Sequence, residues 1–177
     1  VVVQPPHLAR LMLEDGCPER NLAVTGNDDL TFVPDGEPTL DINLGHEIEL
    51  LKPLNLPIAV ISNASLIWRQ DVQQDLMAAD WVSLKVDAVE EQTWRQIDRP
   101  RGDLQLASIL DGIRAFASTY NGRLATETML VKEVNDGTAQ LEATADYIAQ
   151  IQPGIAYLSV PTRSPAEEWA ESPDEQT

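Results

Sequence analysis

The chain has 177 residues, 29 of them Asp or Glu and 12 Lys or Arg, giving a net charge of −17 with neutral histidines. That length supports one domain with a buried core, and a hydrophobic content of 43% excludes disorder over the whole chain. One cysteine, Cys17, excludes an intrachain disulfide and any metal site here that needs two thiolates; two histidines, His7 and His46, argue against a His-rich zinc site, and the acidic balance argues against a broad nucleic-acid surface.

No apolar run approaches the ~20 residues of a membrane-spanning helix. The opening Val1–Pro6 has no basic flank, so it does not read as a secretory signal, and a cytoplasmic location is expected. In chain order, a helix is expected near His7–Glu14, then a short strand at Leu30–Val33 ending in the turn 34–38. Further strands are expected at 57–62, 81–86, 123–131 and 155–160, each bounded by turn residues and of strand length. Helical patterns lie between them at 44–52, 68–77, 89–97, 104–120 and 139–151. The clearest places Leu106, Ile109, Leu110, Ile113, Phe116 and Tyr120 on one stripe, with Asp103 as the expected N-cap. The last segment, 164–177, is acidic, contains proline and is expected to be flexible.

Strand–helix alternation with connections of this size predicts a parallel α/β sheet or barrel. A leading helix normally follows a strand in such folds, so the chain reads as starting one strand late. The Leu30–Val33 strand would then carry an open edge, and the isolated chain would self-associate.

Ligands of parallel α/β folds bind at the C-terminal ends of the strands. Those ends deliver Gly36 and Glu37, then Ser62 and Asn63, then Ser83, Lys85 and Asp87, then Glu127 and Met129, and finally Ser159 with Thr162 and Arg163. Trp81, Ser83, Lys85 and Asp87 share one face by the period-2 rule. A mid-strand lysine fits either a polar inner face that holds a ligand or the solvated face of an edge strand, with Lys85 as a gatekeeper against aggregation. Glu37 in Gly36-Glu37-Pro38 fits either a ligand contact or a plain turn with a solvated carboxylate. The loop 98–103 reads as a solvated connector whose Arg99 and Arg101 could meet an anion. Cys17 reads as a lone thiol. No P-loop, GxGxxG or GxSxG pattern is present.

Thr31–Leu40, which contains Gly36-Glu37-Pro38, resembles the second-strand motif of the radical SAM superfamily. Ile61–Ser65, Trp81–Ala88, Trp94 with Ile97–Pro100, and Thr128–Lys132 with Asn135 follow in the matching order. Together with Pro161–Arg163, Pro165 and Trp169 they resemble the branch of the wybutosine-synthesis tRNA enzymes and related Fe–S oxidoreductases. The resemblance implies a partial (β/α)6 TIM-like barrel over residues 1–163. It also implies S-adenosylmethionine and a 4Fe–4S cluster as cofactors, an electron-donor protein, and reductive cleavage to a 5′-deoxyadenosyl radical. RNA as a partner is implied by the same resemblance and disfavoured by the charge. By position, Gly36 and Glu37 would contact the methionyl amino group, Asn63 would be a rim residue, Ser83, Lys85 and Asp87 would meet the ribose and carboxylate, and Glu127 and Met129 would line the adenosine side.

The sequence departs from this family at the cluster. It has no CxxxCxxC, and Cys17 cannot replace three ligands. The first strand and cluster loop are therefore expected to be missing, no metal ligand is expected in this chain, and the chain alone is expected to be inactive. The rivals are a non-catalytic binding or interaction domain derived from such a barrel, and an unrelated TIM-like enzyme that uses Glu37, Lys85 and Asp87 without iron.

Overall fold

A computed structural model describes residues 22–24, 29–32, 36–162, 167 and 169–174. The expected His7–Glu14 helix, Cys17, Asp35, Arg163 and Pro165 lie outside the described residues. The described elements are β1 (Leu22–Val24), β2 (Leu30–Phe32), α1 (Leu44–Leu51), β3 (Ile58–Ser62), α2 (Gln70–Leu76), β4 (Trp81–Lys85), α3 (Glu91–Asp98), α4 (Leu106–Thr119), β5 (Arg123–Met129), α5 (Thr138–Ile151) and β6 (Ile155–Ser159). They form a mixed α/β fold with one sheet in the order β1-β2-β3-β4-β5-β6. Strands β2 to β6 are parallel, and β1 is antiparallel to β2 with Ala23 opposite Thr31.

Two expectations are corrected here. The edge of β2 is not open, because β1 pairs along it. The argument for self-association through that edge falls with it. Strand β4 is not an edge strand either, since β3 and β5 flank it on both sides. Lys85 is therefore no gatekeeper, and its position needs another explanation.

Strand order follows chain order, so right-handed crossovers put every helix on the same side of the sheet. The core bears this out. Leu30, Phe32, Ile58, Val60, Val82, Leu84 and Leu124 from the strands pack in one cluster with Leu44, Ile48, Leu76, Ile109, Ile113 and Phe116 from the helices. By the period-2 rule the alternate residues Thr31, Ala59, Ser83, Lys85, Ala125, Glu127 and Tyr157 face the other way, and none of them belongs to that cluster. On β6 both faces are solvated, with Ile155, Tyr157 and Leu158 all exposed.

Helix α4 begins at Leu106 with Gln105 as its cap residue, so Asp103 does not cap it; Asp103 pairs with Arg101 across an exposed turn instead. Gly112 lets α4 approach the loop after β3: a Cβ there would sit 2.7 Å from the Cα and N of Trp68. Residues 171–174 lie against the segments that follow β5 and β6. The Lys132 amide donates to the Glu171 carbonyl (2.9 Å), Lys132 Nζ meets Asp174 Oδ1 (2.9 Å), and Ser172 Oγ donates to the Pro161 carbonyl (2.7 Å).

Candidate functional site

The parallel strands end together, and the expected site residues gather there in two groups. The first joins the ends of β2 and β3. Glu37 caps the 3₁₀ turn Pro38–Leu40, its Oε1 accepting from the Thr39 amide (3.1 Å) and Thr39 Oγ1 (2.6 Å). The same oxygen accepts from Ser62 Oγ (2.6 Å), and Oε2 accepts from the Asn63 amide (2.7 Å). Glu37 is buried, which rules out the solvated-turn reading. Asn63 is exposed and its Oδ1 accepts from the Ser65 amide. Between them Ala64 is buried in the left-handed region (φ 62), a strained position for a residue with a Cβ. Gly36 is exposed, and a Cβ there would meet nothing within 4 Å. The chain itself therefore gives no packing reason for a glycine.

The second group joins β4, β5 and β6. Lys85 and Glu127 are register partners, and Ser159 Oγ donates to Glu127 Oε1 (3.1 Å). Two residues on, Asp87 is 2% exposed. Its Oδ1 accepts from the Met129 amide (2.7 Å), while Oδ2 lies 3.0 Å from Lys85 Nζ. That second contact is an ion pair without hydrogen-bond alignment, so Oδ2 is otherwise unpartnered. Asn135 braces the turn: its amide nitrogen donates to the carbonyls of Asp87 (2.8 Å) and Met129 (2.9 Å), and its Oδ1 accepts from the Val131 amide (2.7 Å). Ser83 is buried on the same face, one step back along β4.

Charge in this group is unbalanced. Lys85 faces Asp87, Asp98 and Glu127. Burial pulls its ammonium down, but the three carboxyl groups outweigh that and hold it above the usual lysine range. Asp87 is pushed up, chiefly by burial, against the pull of Lys85. Asp98 is pushed up to about 8, first by burial and then by Asp87.

Asp98 is the residue the sequence reading missed. The sequence puts it in a solvated connector, yet it closes α3, half-buried, and its carboxyl is raised by burial and by the charge of Asp87. The available signal was its spacing of four from Trp94, which puts both on the buried side of one helix. Arg99, expected to be open to an anion, is paired with Glu167. A hollow of about 1550 Å³ opens toward the other end of the strands, lined by Thr31, Asp80, Trp81, Arg123 and Tyr157, and contains none of the expected site residues. It is larger than a single small ligand fills.

No family model matches the chain. It is 47% identical over 146 residues to a UPF0026 protein of Methanocaldococcus jannaschii, an alignment covering 82% of this chain and 46% of that one. The chain thus spans less than half the length of that relative. Among solved structures it is similar to a domain of pyruvate-formate lyase-activating enzyme from Bacteroides vulgatus, with a TM-score of 0.65 at 19% identity, covering 82% of this chain and 85% of that one. It is also similar to a radical SAM methyltransferase from Sphaerobacter thermophilus, with a TM-score of 0.59 at 16% identity, covering 96% and 49%. The chain has a radical SAM domain fold. At these identities the likeness speaks for the fold, and the chemistry has to be argued from the residues.

Proposed function

We propose that this chain supplies the S-adenosylmethionine-binding rim of a radical SAM protein. The observation that carries the reading is the placement of the Gly36-Glu37-Pro38 turn and the Lys85–Asp87–Glu127 group at the same end of a parallel sheet with that fold. Two details fit such a ligand. The space over Gly36 leaves the backbone open to close approach, and Asp87 Oδ2 has an acceptor site that no hydrogen bond fills. Lys85 would hold the ligand carboxylate, Asp87 and Glu127 its hydroxyl or ammonium groups, and Met129 the edge of the adenosine. The narrower likeness to the wybutosine branch, an electron-donor protein and an RNA substrate are carried by the sequence motifs alone, and the charge of −17 weighs against RNA.

The iron–sulfur cluster does not fit this chain. The family pattern asks for three thiolates, the chain holds one cysteine, and no group of three metal-ligating side chains occurs among the described residues. No redox step is assigned to these residues. A second reading, a binding domain without catalysis, is favoured by the four donors from its own chain that already surround Glu37.

Titrating S-adenosylmethionine into the 177-residue chain by calorimetry tests the proposal. The expected result is saturable binding that Gly36→Val weakens about tenfold or more, ~1.4 kcal/mol, with no change in melting temperature. A folded chain that binds no ligand at millimolar concentration overturns it.

A further inference from the structure

We propose that the helix-free face of the sheet seats an elongated monoanion with an apolar body, its charged end held by Arg123 and its far end reaching the Lys85–Glu127 rim. The inference names a substrate class for the rim and rests on the S-adenosylmethionine reading only for what the far end meets; the anion seat stands on its own residues.

Register lays this face out in rows. Thr31, Ala59, Trp81 and Arg123 form the first row, Ile61, Ser83, Ala125 and Ile155 the second, and Lys85, Glu127 and Tyr157 the third. Glu127 lies four residues along β5 from Arg123, about 13 Å at the rise of a strand. The floor between them is low, because Ser83 and Ala125 are small and buried, and Ile61 and Ile155 flank them. An apolar trough thus runs from the first row to the third. Trp81, Arg123 and Tyr157 line the same hollow of about 1550 Å³. Charge decides which end of a ligand goes where. In a chain of −17 a free cation is scarce. Among the described residues, every lysine and arginine except Arg123 is ion-paired. Arg123 is exposed at the start of β5, and only its backbone amide is committed, to the Asp80 carbonyl (2.9 Å). Its guanidinium is left to fork onto a carboxylate or phosphate oxygen pair. The Asp80 carboxylate accepts from the Ile58 amide instead (2.8 Å). Asp29, the other carboxylate lining the hollow, precedes β2, three strand spacings or about 14 Å from β5. It repels an anion from that side of the hollow. At the rim Asp87 and Glu127 outnumber Lys85, so the far end of the ligand carries no second negative charge. Trp81, opposite Arg123, offers ring surface to the body of the ligand.

Calorimetric titration of the 177-residue chain with straight-chain carboxylates from hexanoate to decanoate, at low salt and below their micelle concentrations, tests the seat. Affinity is expected to rise about two- to fourfold per added methylene. Arg123→Gln should weaken decanoate about tenfold or more without changing the melting temperature. The neutral 1-octanol should bind at least about tenfold more weakly than octanoate and be indifferent to that substitution. Arg101→Gln, at an exposed arginine already paired with Asp103, should change nothing. Tyr157→Ala should weaken decanoate and spare hexanoate, because only the longer chain reaches the third row. No carboxylate binding at millimolar concentration, equal binding of octanoate and octanol, or wild-type affinity in Arg123→Gln would each overturn the proposal. Equal losses for hexanoate and decanoate in Tyr157→Ala would overturn the direction of the trough. All these titrations are run without S-adenosylmethionine, so the two readings separate. Arg123-dependent binding in a chain that takes no S-adenosylmethionine upholds the seat and removes the rim reading, and S-adenosylmethionine binding without carboxylate binding does the reverse.

Discussion

A carboxylate with four donors around it is a structural fixture whatever else it contacts. Glu37 ties the turn after β2 to the end of β3, and its removal would leave Thr39, Ser62 and Asn63 with unsatisfied groups. Glu37→Ala should therefore cost about 2–4 kcal/mol in urea unfolding, since hydrogen bonds to a charged acceptor are the strong ones. A loss under about 0.5 kcal/mol would show that the turn holds without it. Asp98 makes the opposite kind of statement. Its carboxyl is raised in the folded chain, so its stabilising contribution is full below the unfolded value of about 4 and is lost as the pH climbs toward about 8. Wild type should lose melting temperature across that window and Asp98→Asn should lose less; parallel curves for the two proteins would contradict the assignment. These two residues also mark what the sequence could reveal. Glu37 sits in a short motif beside a strand end, where chemistry is expected. Asp98 lies one residue past the helix expected at 89–97, and only its spacing from Trp94 hints that it belongs to the helix's inner side.

At the scale of elements, five of the six described strands and all five described helices were legible as pattern. The helices present stripes of period 3.6, and the strands short apolar runs bounded by turn residues. β1 was not; only its antiparallel pairing with β2 marks it as a strand. The central position of β4 was likewise hidden, because strand order is a property of packing. Gly112 illustrates how packing overrides propensity. In an exposed helix interior, Gly→Ala gains up to about 1 kcal/mol. Here the new Cβ would meet the Trp68 backbone at 2.7 Å, which cannot swing aside as a side chain could. Gly112→Ala is expected to destabilise the chain by about 1–3 kcal/mol, and a gain in melting temperature would mean that α4 shifts freely from the β3 loop.

Across the whole molecule, a charge of −17 repels itself, and raising salt from about 10 mM to about 150 mM shortens the screening length from ~30 Å to ~8 Å. Melting temperature should rise over that range; a fall would mean that ion pairs such as Lys132–Asp174 and Arg99–Glu167 outweigh the general repulsion. The one-sided placement of the helices has a consequence that can be written as arithmetic. In β2 to β5 the core-facing residues carry even numbers, among them Leu30, Val60, Leu84 and Leu124, and the opposite face carries odd ones, among them Thr31, Ile61, Lys85 and Glu127; β6 continues the same register. A saturation mutagenesis library scored once for abundance and once for ligand capture should divide along that parity. Even positions of β2 to β5 would dominate the first score, odd positions would dominate the second, and β6, bare on both sides, would tolerate its even positions as readily as its odd ones.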